Sequence, residues 1–469
     1  MLNRRNFALT AAAVGWTGGR QALATPRPGL RPATADQVAR AFATPRSQLK
    51  VGVIGTGARG WVHLRELLRR DDVAVTALCD IDDWALNYAR NLVLKAGRPM
   101  PALYTGSPDA WRQLLADGSG GKLDAVLIVT PWELHAPQAI AAMQAGIAVG
   151  CEVVAGVTLD DHWQVLRAQQ ASGVPYMLLE NVCYRRDVLA ALNMARQNLF
   201  GEIVHLEGGY EHDLRPVKFN SGVPGKLYGQ GVEFGAKGWS EARWRTDHSV
   251  HRNGDLYPSH GIGPCAMQAH INRGNRFVQL TSYASKARGL SAYVKGQNPT
   301  HPNNAVRFKL GDVVQTQLAC AGGETMLLTH DTSLPRPYSL GFRVQGTQGL
   351  WMDVADGIYI EGKSKKHDEW DAASTWFKTY DHPLWRKYGQ TAEGSGHGGM
   401  DFFVIHAFIE ALKRAEPMPI DIYDAVTWSA ITPLSEASVT QGSQTVAFPD
   451  FTEGHWASRK PIFALDDRY

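Results

Sequence analysis

Tyr257 and His260 stand three residues apart in Arg252-Asn253-Gly254-Asp255-Leu256-Tyr257-Pro258-Ser259-His260-Gly261-Ile262-Gly263-Pro264, so helical backbone would set a phenol and an imidazole on one face. Imidazole titrates near neutrality, which suits His260 to general acid and base work. Two other stretches extend the constellation, Tyr210-Glu211-His212-Asp213-Leu214-Arg215 and Trp244-Arg245-Thr246-Asp247-His248. Arg245 offers a rigid fork of donors, better made for clamping a hydroxyl or amide oxygen than for moving a proton. Taken singly, these residues would serve as satisfied surface or interface groups. Together, beside helix-breaking Gly and Pro, they read as a catalytic loop leading into a helix over residues 264–271. A later cluster, Gly394-Ser395-Gly396-His397-Gly398-Gly399-Met400-Asp401, sets His397 in a glycine turn before a helix, as a site residue or as part of a capped loop.

The elements that must position such a site start at Lys50-Val51-Gly52-Val53-Ile54-Gly55-Thr56-Gly57-Ala58-Arg59-Gly60, where strand-like residues run into G-x-G-x-x-G and a helical pattern. Gly55 and Gly57 let the turn tighten and a pyrophosphate approach the backbone, and the N–H groups of the next helix face that anion. The alternative is a structural turn with a surface acid. The context favours a dinucleotide site: a helix over 60–70, then a strand over 73–80 that ends in Asp80, twenty residues after Gly60. A carboxylate there accepts both ribose hydroxyls and repels a 2′-phosphate, which selects NAD over NADP, with Asp82 as the substitute.

Strand and helix then alternate: helices over 82–96, 109–116, 136–145 and 159–171, strands near Tyr104 and over 124–130, 147–153 and 175–180. This is a doubly wound parallel sheet, and ligands in such sheets sit beyond the carboxyl ends of the strands. That rule selects Asp80, Pro131–His135 (with Trp132, Glu133 and Leu134), Glu152-Val153 and Asn181 as the rim. A helix over 186–197 follows, and the chain turns strand-rich at 202–210, 277–284, 304–310, 312–320, 324–331, 340–345 and 357–361. The expected fold class is thus α/β plus α+β: an N-terminal Rossmann domain over 49–182, then a domain over 183–469 built on an open-faced, mainly antiparallel sheet. The helix over 400–414 is expected to return onto the first domain, and 362–394 to form a long surface excursion.

With 469 residues there is room for two substantial domains, and a net charge of +3 gives no argument for nucleic acid or anionic membrane. Five scattered cysteines without C-x-x-C or metal spacing read as buried thiols. Asn3-Arg4-Arg5-Asn6-Phe7, the apolar run 8–16 and Ala22-Leu23-Ala24 read as a signal peptide over 1–24, too short to span a bilayer. The paired arginines resemble a twin-arginine signal, which exports folded proteins, with an ordinary secretory signal as the alternative. Either reading places the protein outside the bacterial cytoplasm, in the periplasm. Residues 25–48, rich in proline, are expected to form a mobile arm.

The order of G-x-G-x-x-G, strand-end Asp80, Thr130-Pro131-Trp132-Glu133-Leu134-His135 and Glu152 resembles the Gfo/Idh/MocA oxidoreductases. Their usual Glu-Lys-Pro is Glu152-Val153-Val154 here, so the lysine that serves hydride exchange with a free carbonyl is missing. Together with the second-domain stretches, most specifically residues 252–264, the chain resembles the NAD-dependent enzymes of glycoside hydrolase family 109, whose founding activity is α-N-acetylgalactosaminidase. The resemblance implies NAD held by Arg59, Gly60, Asp80, Trp132, Glu133, Leu134, His135, Glu152, Val153 and Asn181. It implies a sugar held by Tyr210, Arg245, Tyr257, Pro258, Ser259, His260 and Tyr338, Ser259 standing where many members have Thr. It leaves open which glycoside is cleaved, an N-acetylgalactosaminide or another.

The implied chemistry joins a redox cofactor to glycoside cleavage. Hydride leaves sugar C3, the 3-ketone acidifies the C2 hydrogen, the enolate expels the aglycone, water adds at C1 and C3 is reduced again. No carboxylate pair straddling the bond is needed, unlike in ordinary retaining glycosidases. Under this reading His260 works near O3, Tyr257 assists at C2, and His397 or Tyr338 lies near the aglycone, while Glu152 orients the carboxamide or a water. Two other readings stay open: an exported sugar oxidoreductase, and a sugar sensor that keeps NAD as a structural group. The exposed sheet face is expected to allow pairing of two copies.

Overall fold

A computed structural model describes residues 42–469; the expected signal peptide over 1–24 and most of the expected arm over 25–48 lie outside the described residues. Six parallel strands form the first sheet: β1 (Leu49–Ile54), β2 (Val73–Cys79), β3 (Ala102–Tyr104), β4 (Ala125–Ile128), β5 (Ala148–Cys151) and β6 (Tyr176–Leu178). Their order is β3-β2-β1-β4-β5-β6, so the direction of winding reverses between β1 and β4. A crevice opens at that switch point, above the carboxyl ends of the strands. β4 and β5 are buried along their whole length, as strands covered on both faces must be. The turn after β1 requires glycine at Gly55: its φ is +92°, and a Cβ would overlap the carbonyl of Val129 at the end of β4.

The second sheet has nine strands in the order β14-β13-β12-β11-β7-β10-β9-β8-β15. These are β7 (Ile203–Glu211), β8 (Phe277–Ala284), β9 (Val313–Cys320), β10 (Thr325–Asp331) and β11 (Arg343–Gly346), with the shorter β12 (Gly349–Met352), β13 (Gly357–Ile360), β14 (Asp371–Ala372) and β15 (Val446–Ala447) toward the edges. The pairing is antiparallel except between β10 and β7, which run parallel from Thr325↔His205 to Asp331↔Glu211. Along β9 buried Val314, Thr316, Leu318 and Cys320 alternate with more accessible neighbours, the signature of a sheet with one covered face. The helix Ser259–Gln268 packs on the covered side against β7. There Gly261 meets the Gly208–Gly209 backbone so closely that a Cβ on any of the three would overlap a neighbour.

The helix Met400–Arg414 reaches back to the nucleotide domain, where the ring of Phe408 fills the space above Gly150. The core is therefore shared across the domain boundary rather than closed within 49–182. Three sequence expectations change. Residues 304–310 do not pair into a strand: 304 and 305 end a 3-10 turn, Pro302–Ala305, and 306–310 are irregular. The stretch 362–394 is no free excursion: it contains the helices Ala373–Tyr380 and Pro383–Ala392, with Trp385 Nε1 donating to the Tyr184 carbonyl at 2.8 Å. The helix expected over 264–271 begins five residues earlier, at Ser259, and carries Pro264 inside it. Pro264 lacks an N–H, but its turn is supported by Ile262 N–H bonding back to the Pro258 carbonyl at 2.8 Å. All five cysteines are buried free thiols, and no helix among the described residues is long and apolar enough to cross a membrane.

Candidate active site

One cleft runs from the ends of β1 and β2 to the helix that starts at Ser259, enclosing about 1670 Å³ when the part open to solvent is included. At one end Asp80 closes β2. Its Oδ2 accepts from Thr56 N–H at 2.6 Å and its Oδ1 from Asp82 N–H at 2.9 Å, so the carboxyl is locked toward the cleft with lone pairs to spare. Burial pushes its pKa up. Asp82 is engaged elsewhere, capping the next helix through Ala85 N–H and accepting from Trp239 Nε1 at 3.0 Å. This division makes Asp80 rather than Asp82 the acid free to meet ribose hydroxyls. Above Gly57 a Cβ position opens onto empty space, whereas one at Gly60 would strike the Gly55 carbonyl. Gly57 thus leaves room for a phosphate, and Gly60 serves close packing of helix on turn.

Arg59 ties the cleft floor together. Its Nε donates to Glu152 Oε1 at 2.6 Å and its Nη1 lies 2.8 Å from Asp401 Oδ1. His63 Nε2, fully buried, shares the same Glu152 oxygen at 2.5 Å. Burial alone would raise both carboxyls, but the Arg59 charge, with His63 and His397 behind it, holds Glu152 and Asp401 far below the usual range. Asp401 also accepts from Asn181 Nδ2 at 2.8 Å and from His397 Nδ1 at 2.7 Å. Asn181 is then left with a buried Oδ1 that has no partner and lies on the cleft wall. An unpaired amide oxygen in that place is an acceptor awaiting a donor such as the nicotinamide carboxamide. That orphan, the engaged Asp80 and the open space over Gly57 all fit a dinucleotide.

At the other end Tyr257 lies between Tyr210 and Trp132, with ring centroids 4.7 and 5.7 Å away, and His260 stands edge-on to both phenols. His260 Nδ1 lies 2.7 Å from Oε1 of Glu180, a fully buried residue whose oxygen is also fixed by Val182 N–H at 2.9 Å. A carboxylate only accepts, so Nδ1 carries the hydrogen and Nε2 keeps its lone pair for the cleft. Arg245 sits over the rings of Trp132, Trp244 and Tyr257 at 5.1, 5.5 and 5.3 Å and pairs with Glu241 at 2.8 Å. Burial pushes Tyr210 up to about 12 and Tyr257 well above the usual phenol value. Both phenols therefore stay protonated at neutral pH.

The structure separates other expected site residues. His135 lies on the cleft wall, but its two ring nitrogens face the carbonyls of Thr130 and Val154 at 2.7 and 2.6 Å, pinning the ends of β4 and β5. Glu133 turns away from the cleft and pairs with His248 Nε2 at 2.9 Å, because position two of a helix that begins at Trp132 points off the strand ends. Pro258 and Ser259 do not line the cleft; Ser259 is wholly buried, its side chain turned inward where the helix begins. Tyr338 is half exposed and packs on His212, ring centroids 4.9 Å apart, outside the cleft lining. Trp132, Leu134, Val153, Tyr210, Arg245, Tyr257, His260 and His397 all face the cleft.

Several participants escaped the sequence reading. Glu180 closes the strand expected over 175–180 and lies two residues past β6 in the structure; the available signal is an acid one residue before the rim amide Asn181. Asp401 was seen only as part of a glycine turn. Lys218, buried behind Tyr210 and Arg245 and hydrogen-bonded to Thr332 Oγ1 at 2.8 Å, is pulled down to about 7 by burial; nothing local distinguishes it from a surface lysine.

Asp255, 2% exposed, accepts from Tyr257 N–H at 3.1 Å and so fixes the backbone of the site helix. Burial pushes its carboxyl up to about 7. Its folded pKa exceeds the unfolded value, so its contribution to stability is full below about pH 4 and is lost as pH rises toward 7. Asp255→Asn keeps the acceptor without the charge and is expected to stabilise the fold by up to about 4 kcal/mol at pH 8, with little gain at pH 4. Denaturant unfolding at the two pH values checks this; an equal effect at both would refute it.

Residues 184–458 match the family model described as "Glycosyl hydrolase 109, C-terminal domain", and residues 49–178 match "Oxidoreductase family, NAD-binding Rossmann fold". A "Glycosyl hydrolase family 109 protein" of Stenotrophomonas maltophilia is 63% identical over 426 residues, covering 90% of this chain and 93% of the relative. A protein of Tannerella forsythia named "Alpha-N-acetylgalactosaminidase" is 46% identical over 472 residues, covering 98% and 99%. Among solved structures, levoglucosan dehydrogenase in complex with NADH and L-sorbose superposes with a TM-score of 0.65 at 18% identity, covering 86% of this chain and all of that one. At that identity the likeness speaks for the fold.

Proposed function

The chain belongs to glycosyl hydrolase family 109, a family of glycosidases on an NAD-binding oxidoreductase fold, and on that premise we propose that it is an exported α-N-acetylgalactosaminidase that keeps its NAD bound through each turnover. One observation carries the reading. Glu180, which orients His260, and Asn181, whose free oxygen faces the cofactor end, are consecutive residues. The residue that orients the base and the residue that would meet the carboxamide are thereby fixed relative to each other.

When bound, NAD supplies a reversible hydride acceptor beside the sugar ring. His260 Nε2 takes the proton from O3 as that carbon is oxidised and returns it at the end of the cycle. The resulting carbonyl acidifies C2, and a base in the cleft takes that proton. The enolate expels the aglycone without two opposed carboxylates, and water adding at C1 with the proton returned to C2 restores the sugar for reduction at C3. Tyr210 and Tyr257 donate to sugar oxygens, and Arg245 holds a hydroxyl or the acetamido oxygen. Glu152 and Glu241 are engaged with Arg59 and Arg245 and serve as anchors. Val153 stands where oxidoreductases of this superfamily use lysine, which supports glycoside cleavage over net sugar oxidation. The Arg4-Arg5 leader supports twin-arginine export, since a chain must fold around a retained dinucleotide before it crosses.

Nitrophenyl glycosides assayed without added NAD test the proposal. Release of nitrophenol from the α-N-acetylgalactosaminide, with deuterium from solvent at C2 of the freed sugar and no net NADH absorbance, is the expected result. Accumulating NADH without nitrophenol would instead identify a sugar oxidoreductase.

A further inference from the structure

Between the short helix Arg215–Lys218 and the helix Arg245–His251, residues 219–244 leave the second domain and cross to the nucleotide domain. This segment is not a loose loop. Its foot has a hydrophobic cluster separate from the main core, in which Phe219 and Val232 pack with Leu290 and Val294. Asn220 knots it internally: its Oδ1 accepts from Trp239 N–H at 3.1 Å, and its Nδ2 donates to the Trp239 carbonyl at 2.7 Å. The knot presents Trp239 as a plug, 2% exposed, with its ring 5.2 Å from Trp84 and 6.3 Å from Trp61. The indole N–H completes the seat by donating to Asp82.

The socket is made by the two elements that would hold the adenosine half of a dinucleotide. Trp61 lies on the helix that follows the glycine turn, and Trp84 on the helix that follows Asp80. Ser240, Glu241 and Arg243, next to the plug, line the same cleft, with Arg243 Nη1 3.7 Å from Asp82 Oδ2 on the Asp80 side and Glu241 paired with Arg245 toward the other end. A dinucleotide lying between Asp80 and Asn181 is therefore roofed by this segment at its adenosine end.

We infer that residues 219–244 form a strap, pinned by Trp239 on Asp82, Trp61 and Trp84, that traps the dinucleotide in the cleft. This deepens the proposed function and rests on it, because a cycle that ends with the cofactor restored gains from preventing its escape. A strap acts as a barrier, so loosening it must speed both departure and entry. A residue that merely touches the ligand would alter departure alone.

The test measures NAD directly, independently of glycoside cleavage. The full chain is purified, its NAD content quantified after gel filtration, and the loss followed during dialysis; uptake of NAD by stripped protein is then timed. Trp239→Ala removes the plug, and Trp239→Phe keeps an aromatic ring while deleting the indole donor, which guards against a variant that fails to fold. Release and uptake are both expected to quicken, about tenfold for Trp239→Phe and about a hundredfold for Trp239→Ala. Loaded variants that exchange NAD at the wild-type rate overturn the strap and leave the proposed function standing. Faster release with unchanged uptake makes Trp239 a ligand contact and also overturns it. Wild-type protein that elutes without dinucleotide overturns both readings.

Discussion

His260→Ala is expected to lower turnover on the α-N-acetylgalactosaminide by about a thousandfold while the purified protein keeps its bound NAD. Among the cleft histidines, His260 and His397 each have a ring nitrogen fixed by a buried acid, Glu180 and Asp401. His397, however, is half exposed and its acid is shared with Arg59 and Asn181, whereas His260 stands edge-on to Tyr210 and Tyr257. His63, buried behind the cleft, and His135 on its wall are struts, tied to Glu152 and to two carbonyls respectively. Glu180→Gln sharpens the test. It sets an amide NH₂ against the Nδ1 hydrogen, favours the tautomer that blocks Nε2, and should cost about a hundredfold in kcat with a small change in KM. Near-normal kcat in both variants, with folding and NAD content intact, would remove His260 from proton transfer.

Arg59→Met is expected to destabilise the protein by about 3 kcal/mol in denaturant unfolding at neutral pH. The change leaves Glu152 and Asp401 buried with only histidine and amide partners. Arg59 keeps 23% of its side chain exposed, which places the cost at the low end for a broken buried ion pair. The sign of the pH dependence follows from the two carboxyls. Their folded pKa values lie below the unfolded ones, so the stability they contribute is present above the unfolded carboxylate range and lost as pH falls. Arg59→Met should therefore flatten the acid side of the stability profile, and an unchanged acid limb would refute the network as a stabilising unit. Bound NAD should fall as well, because Asn181 loses the fixed Asp401 that orients it.

Much of this molecule follows from local chemistry. A strand running into Gly55-x-Gly57-x-x-Gly60 and a strand ending in Asp80 can hardly be arranged otherwise, because backbone sterics and the phosphate-sized gap leave one solution. The helix Met400–Arg414 was legible from its apolar periodicity to the residue, and the buried strands from their continuous apolar runs. Local pattern misled where composition hid burial. Residues 304–310 have strand-like character but join no sheet, and the polar stretch 362–394 forms two helices that cover aromatic surface.

What only the tertiary structure decided is which polar groups meet. His260 and Glu180 are eighty residues apart, Arg59 and Asp401 more than three hundred, and Trp239 finds Asp82 across the domain boundary. Residue type and spacing determined that imidazole, phenol, guanidinium and a dinucleotide turn were present and could share one rim. They could not determine that Glu133 would turn outward, that Ser259 would be sealed inside, or that an acid without a motif would fix the tautomer of the base. Hydrogen bonds reach about 3 Å and depend on direction, so partners distant in the chain are chosen by the packing of whole elements and not by the residues that neighbour them in sequence.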